Sequence, residues 1–178
     1  MSGDGEHEAF ALSRSSNFVF EPSNDTYFSA LDSHAESTEG DVKLPYVVLG
    51  SPGSGKSALL ANWVQRRKLT KHRDEFLFQH YVGSSPKSKT LFNLLSRLES
   101  HLKDKFQLRE MEVPTSEVRL RWALRRFLSS AAKKGKCPLT PKQYEYLPHW
   151  KVPCSTYLSN RLHILCCAIF HQLRLNGT

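Results

Sequence analysis

The sequence predicts an α/β fold in which a parallel β-sheet is flanked by helices. Three observations support this prediction: an apolar run at residues 46–49, a glycine-rich turn directly after it, and a helix-patterned segment that follows the turn. An aromatic and β-branched run at residues 75–83 supplies a second strand, and two further helical patterns come after it. This order is that of the beginning of a doubly wound domain, so the predicted sheet is incomplete.

The 178 residues suit one domain with tails, and we divide the chain into three parts. Residues 1–26 are acidic and poor in apolar pattern, and they are predicted to be a disordered tail. Residues 27–136 form the predicted α/β domain. Residues 137–178 contain prolines and cysteines without a clear pattern, except for a possible helix over residues 157–175.

Each predicted element rests on a local pattern. "YVVL" (residues 46–49) suits a central strand buried on both faces, and residues 27–36 suit a short helix. Helical spacing predicts a helix from Lys56 onward and a leucine-rich helix ending near Phe106, with Ser85 and Pro86 at its start. A third pattern runs from Pro114 and ends near Gly135.

The glycine-rich turn matches the phosphate-binding pattern G-x-x-x-x-G-K-[ST]. The glycines allow backbone amides to approach phosphate oxygens, and the start of a helix favours an anion. In this pattern the lysine reaches the β- and γ-phosphates, and the serine hydroxyl is a ligand of Mg²⁺. The predicted cofactor is therefore ATP or GTP with Mg²⁺. The residues concerned are Gly50, Ser51, Pro52, Gly53, Ser54, Gly55, Lys56 and Ser57, and Ser57 is the expected metal ligand.

Hydrolysis requires more than this loop. A nucleotide hydrolase of this kind also needs an acidic residue at the end of a third apolar strand, which helps to hold Mg²⁺. No apolar run that ends in an acid follows Ser57, and the catalytic residues are unknown. Efficient hydrolysis of the nucleotide is therefore not expected from this chain alone.

The segments "LGSPGSGKSALLANWV" and "FLFQHYVGSSPKS", followed by a leucine-rich helix, resemble the N-terminal part of a NACHT-type STAND P-loop NTPase of the nephrocystin-3-like group. The resemblance covers about residues 27–136. It implies a nucleotide-dependent switch with slow hydrolysis and a scaffold or signalling role. Such proteins continue with a strand that ends in acids, whereas here "GKCPLTPKQYEYLPHW" follows. We therefore expect a product truncated before that strand, with residues 137–178 as an alternative end.

Charge is distributed unevenly along the chain. The formal net charge is +8, but residues 1–45 carry nine acidic residues against Arg14 and Lys43. An acidic head and a basic body can associate with one another, and a basic surface can also bind an acidic partner. The helices over residues 87–106 and 115–134 are the candidate partner surfaces. Nucleic acid is a less favoured partner. His80 could face the nucleotide site, although a core histidine with one hydrogen bond is favoured.

The sequence shows no secretory signal and no apolar run of about 20 residues, so a cytoplasmic protein without a membrane span is expected. The four cysteines do not have the spacing of a zinc site. The main functional hypothesis is a nucleotide-binding module with little turnover. The alternatives are a catalytically silent protein-interaction module that uses its basic helices and, less favoured, a small P-loop kinase.

Overall fold

The computed structural model describes residues 4–36, 46–70, 76–134, 157–159 and 162–168. These ranges contain five α-helices and three β-strands, and a short 3₁₀ helix, Lys87–Lys89, precedes the fourth α-helix. In chain order the elements are α1 (Asp4–Ser15), α2 (Pro22–Glu36), α3 (Lys56–Thr70), β1 (Phe76–Val82), α4 (Leu91–Lys105), α5 (Glu117–Lys134), β2 (Tyr157–Ser159) and β3 (Leu162–Ala168).

The predicted fold class, a parallel sheet that includes the strand before the glycine-rich turn, is wrong. The described residues are mainly helical, and residues 47–50 have no regular secondary structure, while Tyr46 forms only an isolated bridge. Val47 and Leu49 are exposed, at 47% and 86%, so this apolar run is not covered on both faces as a central parallel strand would be. An apolar run becomes a strand only if neighbouring strands supply its hydrogen bonds.

The sheet that the described residues form has a different composition. Its strand order is β1-β3-β2, in which β1 pairs in parallel with β3 and β2 pairs antiparallel to β3. The register places Phe76 opposite Leu162 and Val82 opposite Ala168. The predicted strand over residues 75–83 is therefore confirmed as β1, but its neighbour comes from the C-terminal part of the chain.

The possible helix over residues 157–175 is also wrong, because residues 157–159 and 162–168 are strands. Short apolar runs do not distinguish a buried helix from a strand, and "LHILCCA" is such a run. Pairing with β1 decides in favour of the strand. The prolines that follow residue 136, and the suggested junction near that residue, lie outside the described residues.

The predicted disorder of residues 1–26 is wrong as well, since α1 and the first five residues of α2 lie in this segment. A small number of apolar side chains is sufficient to attach these polar helices to the rest of the molecule: Ala11 from α1, and Phe28, Leu31 and Ala35 from α2, are buried. The short helix expected over residues 27–36 is confirmed as part of α2. The boundaries proposed for three domains stay predictions.

Two hydrophobic clusters lie on opposite faces of β1. The first contains side chains of α1, α2 and α3 together with Tyr81, and the second contains Phe76 and Phe78 together with α4 and α5. Successive side chains of a strand point to opposite faces, which explains why Tyr81 and the two phenylalanines belong to different clusters. Because β1 contributes to both clusters, it connects the N-terminal helices to the α4–α5 pair.

The remaining helix predictions are confirmed with two shifted starting points, since α5 begins at Glu117 rather than at Pro114 and α4 also begins later. α3 begins at Lys56, and α5 ends at Lys134. α4 begins after Thr90, whose hydroxyl accepts a hydrogen bond from the backbone N–H of Asn93, rather than at Ser85. Serine and threonine are both preferred N-cap residues, and the sequence alone did not indicate that Thr90 would be used instead of Ser85.

Candidate functional site

The loop over residues 50–57, called the glycine loop below, connects the irregular segment after Tyr46 to α3. Gly53 and Gly55 have positive φ angles of 83° and 82°, in the left-handed region that favours glycine. A Cβ atom on Gly50 would lie 2.7 Å from Ser54 Oγ, so a larger residue at the beginning of the loop would require the Ser54 side chain to move. Two of the three glycines in the sequence pattern, Gly53 and Gly55, therefore have the backbone angles that favour glycine.

The side chain of Lys56 closes the glycine loop. Its ammonium group donates to the carbonyl oxygens of Gly50 at 2.8 Å and Ser51 at 2.7 Å, and it lies 3.2 Å from Ser54 Oγ. The ammonium has three N–H groups, and these three acceptors match them. Lys56 therefore stabilises the conformation of the loop and also places a positive charge beside its pocket.

A small open pocket lies at the glycine loop and the first turn of α3. Its lining brings together five of the predicted loop residues and two further residues that the pattern did not include. The lining residues are Gly53, Ser54, Gly55, Lys56, Ser57, Ala58 and Arg14. The first amides of α3 have no carbonyl partner within the helix, and the positive end of the helix dipole lies here. Such a cradle can accept an anion, and Ser57 places a hydroxyl beside it.

The second half of a hydrolytic site is not found in the described ranges. Residues 4–36, 46–70, 76–134 and the two C-terminal strands contain no group of three or more metal-ligating His, Cys, Asp or Glu side chains. The four cysteines lie outside the residues with described side chains. The glycine loop can therefore be described as an anion cradle, but no catalytic centre can be assigned to it.

A partly buried polar network joins α1 to β1 and α4. Asp4 Oδ1 accepts from the guanidinium of Arg97 at 2.9 Å and lies 2.6 Å from His101 Nε2. Arg97 also donates to His80 Nδ1 at 2.8 Å, and His80 Nε2 lies 2.9 Å from the carbonyl oxygen of Ser88. His80 is buried, so it is a core histidine and does not line the pocket of the glycine loop.

The pKa values of this network reflect burial and the charge of Arg97. Burial lowers the pKa of His80 to about 4, with the nearby Arg97 charge acting in the same direction. Burial and Arg97 likewise lower the pKa of His7 to about 3. Burial alone would raise the pKa of Asp4, but hydrogen bonds from His101 and Arg97 outweigh it and leave that pKa lowered. Both histidines are therefore neutral at pH 7, whereas Asp4 is charged.

α4 carries one further buried ionisable group. Glu99 has no exposed surface, and neither of its carboxylate oxygens has a hydrogen-bond partner among the described residues. Burial raises its pKa to about 8. Its neighbours on α4 include Leu95, Leu98 and Leu102, which belong to the second cluster. A protonated Glu99 is the form compatible with this apolar environment at neutral pH.

The outer face of α5 combines exposed apolar and basic side chains. Trp122 is 78% exposed and Val118 is 67% exposed, while the opposite face of the helix packs against α4. Residues 118 and 122 are four positions apart, so their side chains are neighbours on the helix surface. Exposed arginines surround them: Arg119, Arg121, Arg125 and Arg126. This surface, called the α5 face below, was predicted only as part of a basic helix.

The sequence did not indicate two of these features. Arg14 was assigned to a disordered tail, and nothing in its local sequence relates it to a loop about 40 positions away. The network around Asp4 was suggested only by the general expectation that an acidic head could associate with a basic body. The unusual position of Trp122, among arginines at helical spacing, was visible in the sequence, but which side of α5 would be covered was not.

Comparison with known proteins gives one relative. Over 63 residues the chain is 30% identical to a TPR repeat-containing protein of Dictyostelium discoideum. The match covers 35% of this chain and 4% of that protein, so it spans a small fraction of the relative's length. No protein family model matches the chain. No solved structure matches it either.

These comparisons correct the class that the sequence suggested. The class label of a NACHT- or STAND-type P-loop protein is wrong on these findings, whereas binding of a nucleotide by the glycine loop is not tested by them and stays a prediction. The matching relative is named for its TPR repeats, and the described residues are mainly helical. A local sequence pattern can identify a loop, but the fold class depends on the surrounding sheet. In this chain the glycine pattern is present, whereas the strand expected directly before it is not formed by residues 47–50. None of the described helices is long and apolar enough to cross a membrane.

Proposed function

We propose that this chain is a protein-interaction module without catalytic activity, which binds an acidic partner through the α5 face. The observation that carries this proposal is Trp122, a large aromatic side chain that is 78% exposed on a well-packed helix. Tryptophan and arginine are the residue types most enriched among the side chains that dominate binding energy in protein interfaces. The α5 face presents both types side by side.

The charge of the α5 face defines the chemistry of the partner. Arg119, Arg125 and Arg126 lie three or four positions from Trp122, so they border the same surface. Arg121 forms an exposed pair with Glu117 at 2.7 Å. A complementary segment would offer carboxylates around one or two apolar side chains, for example an acidic amphipathic helix.

The second basic segment, residues 87–106, is less suited to this role. Its Arg97 is only 14% exposed at its side chain and is paired with Asp4 of the same chain. His101 is also in contact with Asp4. Because these two groups of α4 already contact α1 of the same chain, they are less available to a partner. The exposed arginines of α5 are therefore the better candidates for a docking surface.

The comparison is compatible with an interaction role. The relative is described as a TPR repeat-containing protein, which is a structural description and not that of an enzyme. The matched segment is too small a part of that protein to transfer any partner to this chain. The cytoplasmic location expected from the sequence stays a prediction.

The proposal can be tested by selection from a random peptide library on the immobilised chain, followed by affinity measurements. We expect the enriched peptides to be acidic with spaced apolar residues, and to lose about tenfold or more in affinity for Trp122→Ala. Arg125→Glu should weaken binding as well, and binding should decrease with salt.

A suitable control is Leu69→Ala, because Leu69 is 88% exposed but lies on α3, away from the α5 face. This variant should bind the peptides as the unaltered chain does. Peptides that bind Trp122→Ala as tightly as the unaltered chain would contradict the proposal. Binding of RNA or DNA that requires the arginines but not Trp122 would point to a nucleic-acid surface instead.

A second candidate function is the binding of a phosphate-bearing ligand by the glycine loop. It is favoured by one specific observation, the pocket at the first turn of α3. Lys56 and Ser57 line this pocket together with two glycines that have positive φ angles. ATP or GTP with Mg²⁺ would fit the donor set, with Ser57 offering a hydroxyl to the metal. Acceptance of the ligand would require Lys56 to give up at least part of its contacts with the loop carbonyls.

This second candidate is tested by magnesium-dependent binding of fluorescent ATP and GTP analogues. Lys56→Ala should abolish the binding signal, and Lys103→Ala, a substitution of the same kind on α4, should leave it unchanged. Equal signals from the unaltered chain and Lys56→Ala would contradict a loop site. Release of phosphate that depends on Lys56 would contradict the absence of turnover.

A further inference from the structure

Arg14 is the residue through which the N-terminal helix reaches the glycine loop. It lies in the last turn of α1 and lines the same pocket as Lys56 and Ser57. Its guanidinium carbon lies 5.0 Å from the centre of the Phe10 ring, one helical turn earlier. The ring therefore supports the guanidinium beside the pocket.

The position of Arg14 is determined by contacts along the whole of α1. At the beginning of the helix, Asp4 is paired with Arg97, and His7 accepts a hydrogen bond from the backbone of Tyr81. At the end of the helix, Gln65 of α3 donates to Ser15 Oγ at 3.0 Å. α1 is thus attached to β1, α4 and α3, and Arg14 is held close to the loop.

The charge of Arg14 is available to a ligand. Its side chain is exposed, and no ion pair involves it in the described part of the chain. Lys56, the other cation of the pocket, has its three N–H groups matched by the loop itself. An anion that enters this pocket could therefore bind Arg14 without first displacing another partner of that side chain in the described part of the chain.

We propose that Arg14 is a phosphate-binding residue of the glycine-loop site, and that it makes this site selective for ligands with two or more linked phosphates. The inference rests on the second candidate function above. A guanidinium binds phosphate oxygens through two parallel hydrogen bonds. With the loop amides and Lys56 at one phosphate group and Arg14 at the next, a polyphosphate gains contacts that a single phosphate lacks.

The site would then also link ligand binding to α1. A ligand that contacts Arg14 and the loop together joins two elements that are far apart in sequence, and it stabilises the docked position of α1. Binding to the folded form alone must raise the unfolding temperature. The same ligand should therefore protect α1 from proteolysis, in proportion to its affinity.

The experiment uses the full chain and measures binding of inorganic triphosphate, pyrophosphate and phosphate by calorimetry, with Mg²⁺ held constant. We expect triphosphate and pyrophosphate to bind more tightly than phosphate. Arg14→Gln should weaken triphosphate binding about tenfold, as expected for the loss of a charge-assisted contact, and phosphate binding much less. Arg14→Lys should restore part of the affinity, and Arg126→Gln, which makes the same change of charge on α5, should have no effect.

The outcomes separate this inference from the function on which it rests. If the unaltered chain binds triphosphate, Lys56→Ala does not, and Arg14→Gln binds as the unaltered chain does, the role of Arg14 is refuted while the loop site stands. If neither the unaltered chain nor any variant binds, the loop site itself is refuted. Unfolding temperatures without ligand show whether Arg14→Gln acts through the fold. An equal temperature for Arg14→Gln and the unaltered chain is expected, because Arg14 is exposed.

Discussion

The imidazole Nδ1 of His7 accepts a hydrogen bond from the backbone N–H of Tyr81 at 3.0 Å, which connects α1 to β1 across 74 positions of sequence. Ser84 Oγ lies 3.1 Å from the same nitrogen. His7 is 2% exposed, and its ring centre lies 4.3 Å from that of His80. The attachment of the N-terminal helix therefore depends on a neutral histidine in a buried position.

The first prediction concerns this hydrogen bond. His7→Ala should lower the free energy of unfolding by about 1–3 kcal/mol, because it removes a buried side chain together with its hydrogen bond from the N–H of Tyr81. Denaturation in urea measures the change. Ser84→Ala is the matched control and should cost less, since it leaves the bond between His7 and Tyr81 in place. An unchanged midpoint for His7→Ala would show that α1 is not held in this way.

The second prediction concerns acid. The pKa values of His7 and His80, about 3 and about 4, lie below their ordinary value of 6.5. From pH 6.5 down to these lowered pKa values, the unfolded chain binds more protons than the folded chain. Stability should therefore fall as the pH falls below about 6.5. Unfolding temperatures measured from pH 7 to pH 4 should decrease, and less steeply in His7→Gln. Parallel curves for the two proteins would contradict a role for His7 titration.

The third prediction concerns alkali. The pKa of Glu99, about 8, lies above its ordinary value of 4.5. The folded chain therefore keeps a proton that the unfolded chain loses, and stability should fall as the pH rises from about 4.5 to about 8. Glu99→Gln, which cannot ionise, should remove this contribution. Glu110→Gln, at an exposed position, should keep the pH dependence of the unaltered chain.

The fourth prediction compares two ion pairs between α2 and α3. Asp32 Oδ1 accepts from Trp63 Nε1 at 2.9 Å and from Arg67 at 2.8 Å, and both of these partners are buried. Asp32→Ala should therefore cost about 3 kcal/mol, because it removes the closest carboxylate from a buried guanidinium. Asp25→Ala breaks an exposed pair with Arg66 at 3.8 Å and should cost less than about 1 kcal/mol. Similar midpoints in urea for the two variants would contradict this ranking.

The fifth prediction separates surface from core on α5. Phe127 is fully buried, and Phe127→Ala should destabilise the chain by about 3–5 kcal/mol. Trp122→Ala, at a site that is 78% exposed, should change the unfolding temperature very little. A large loss of stability in Trp122→Ala would mean that the indole is covered in solution, and the α5 face would then not be a free docking surface.

The sequence by itself determined the local elements whose patterns are long and regular. Leucine spacing predicted α4, the mixed apolar and arginine pattern predicted α5, and the aromatic run predicted β1. The glycine pattern predicted the loop, and the left-handed angles of Gly53 and Gly55 agree with it. These features depend on neighbours within about ten residues, so they can be read without knowledge of the fold.

The tertiary structure alone decided the features that depend on distant partners. Residues 46–49 and 162–168 are both short apolar runs, and only the pairing of β3 with β1 distinguishes the strand from the irregular segment. A polar N-terminal segment forms two helices because α3 and β1 cover its few apolar side chains, and because Arg67 and Arg97 donate hydrogen bonds to its carboxylates Asp32 and Asp4. Arg14 lies beside the glycine loop because α1 is packed in this position. Burial and long-range hydrogen bonds are properties of the folded chain, and for this reason local pattern could not predict them.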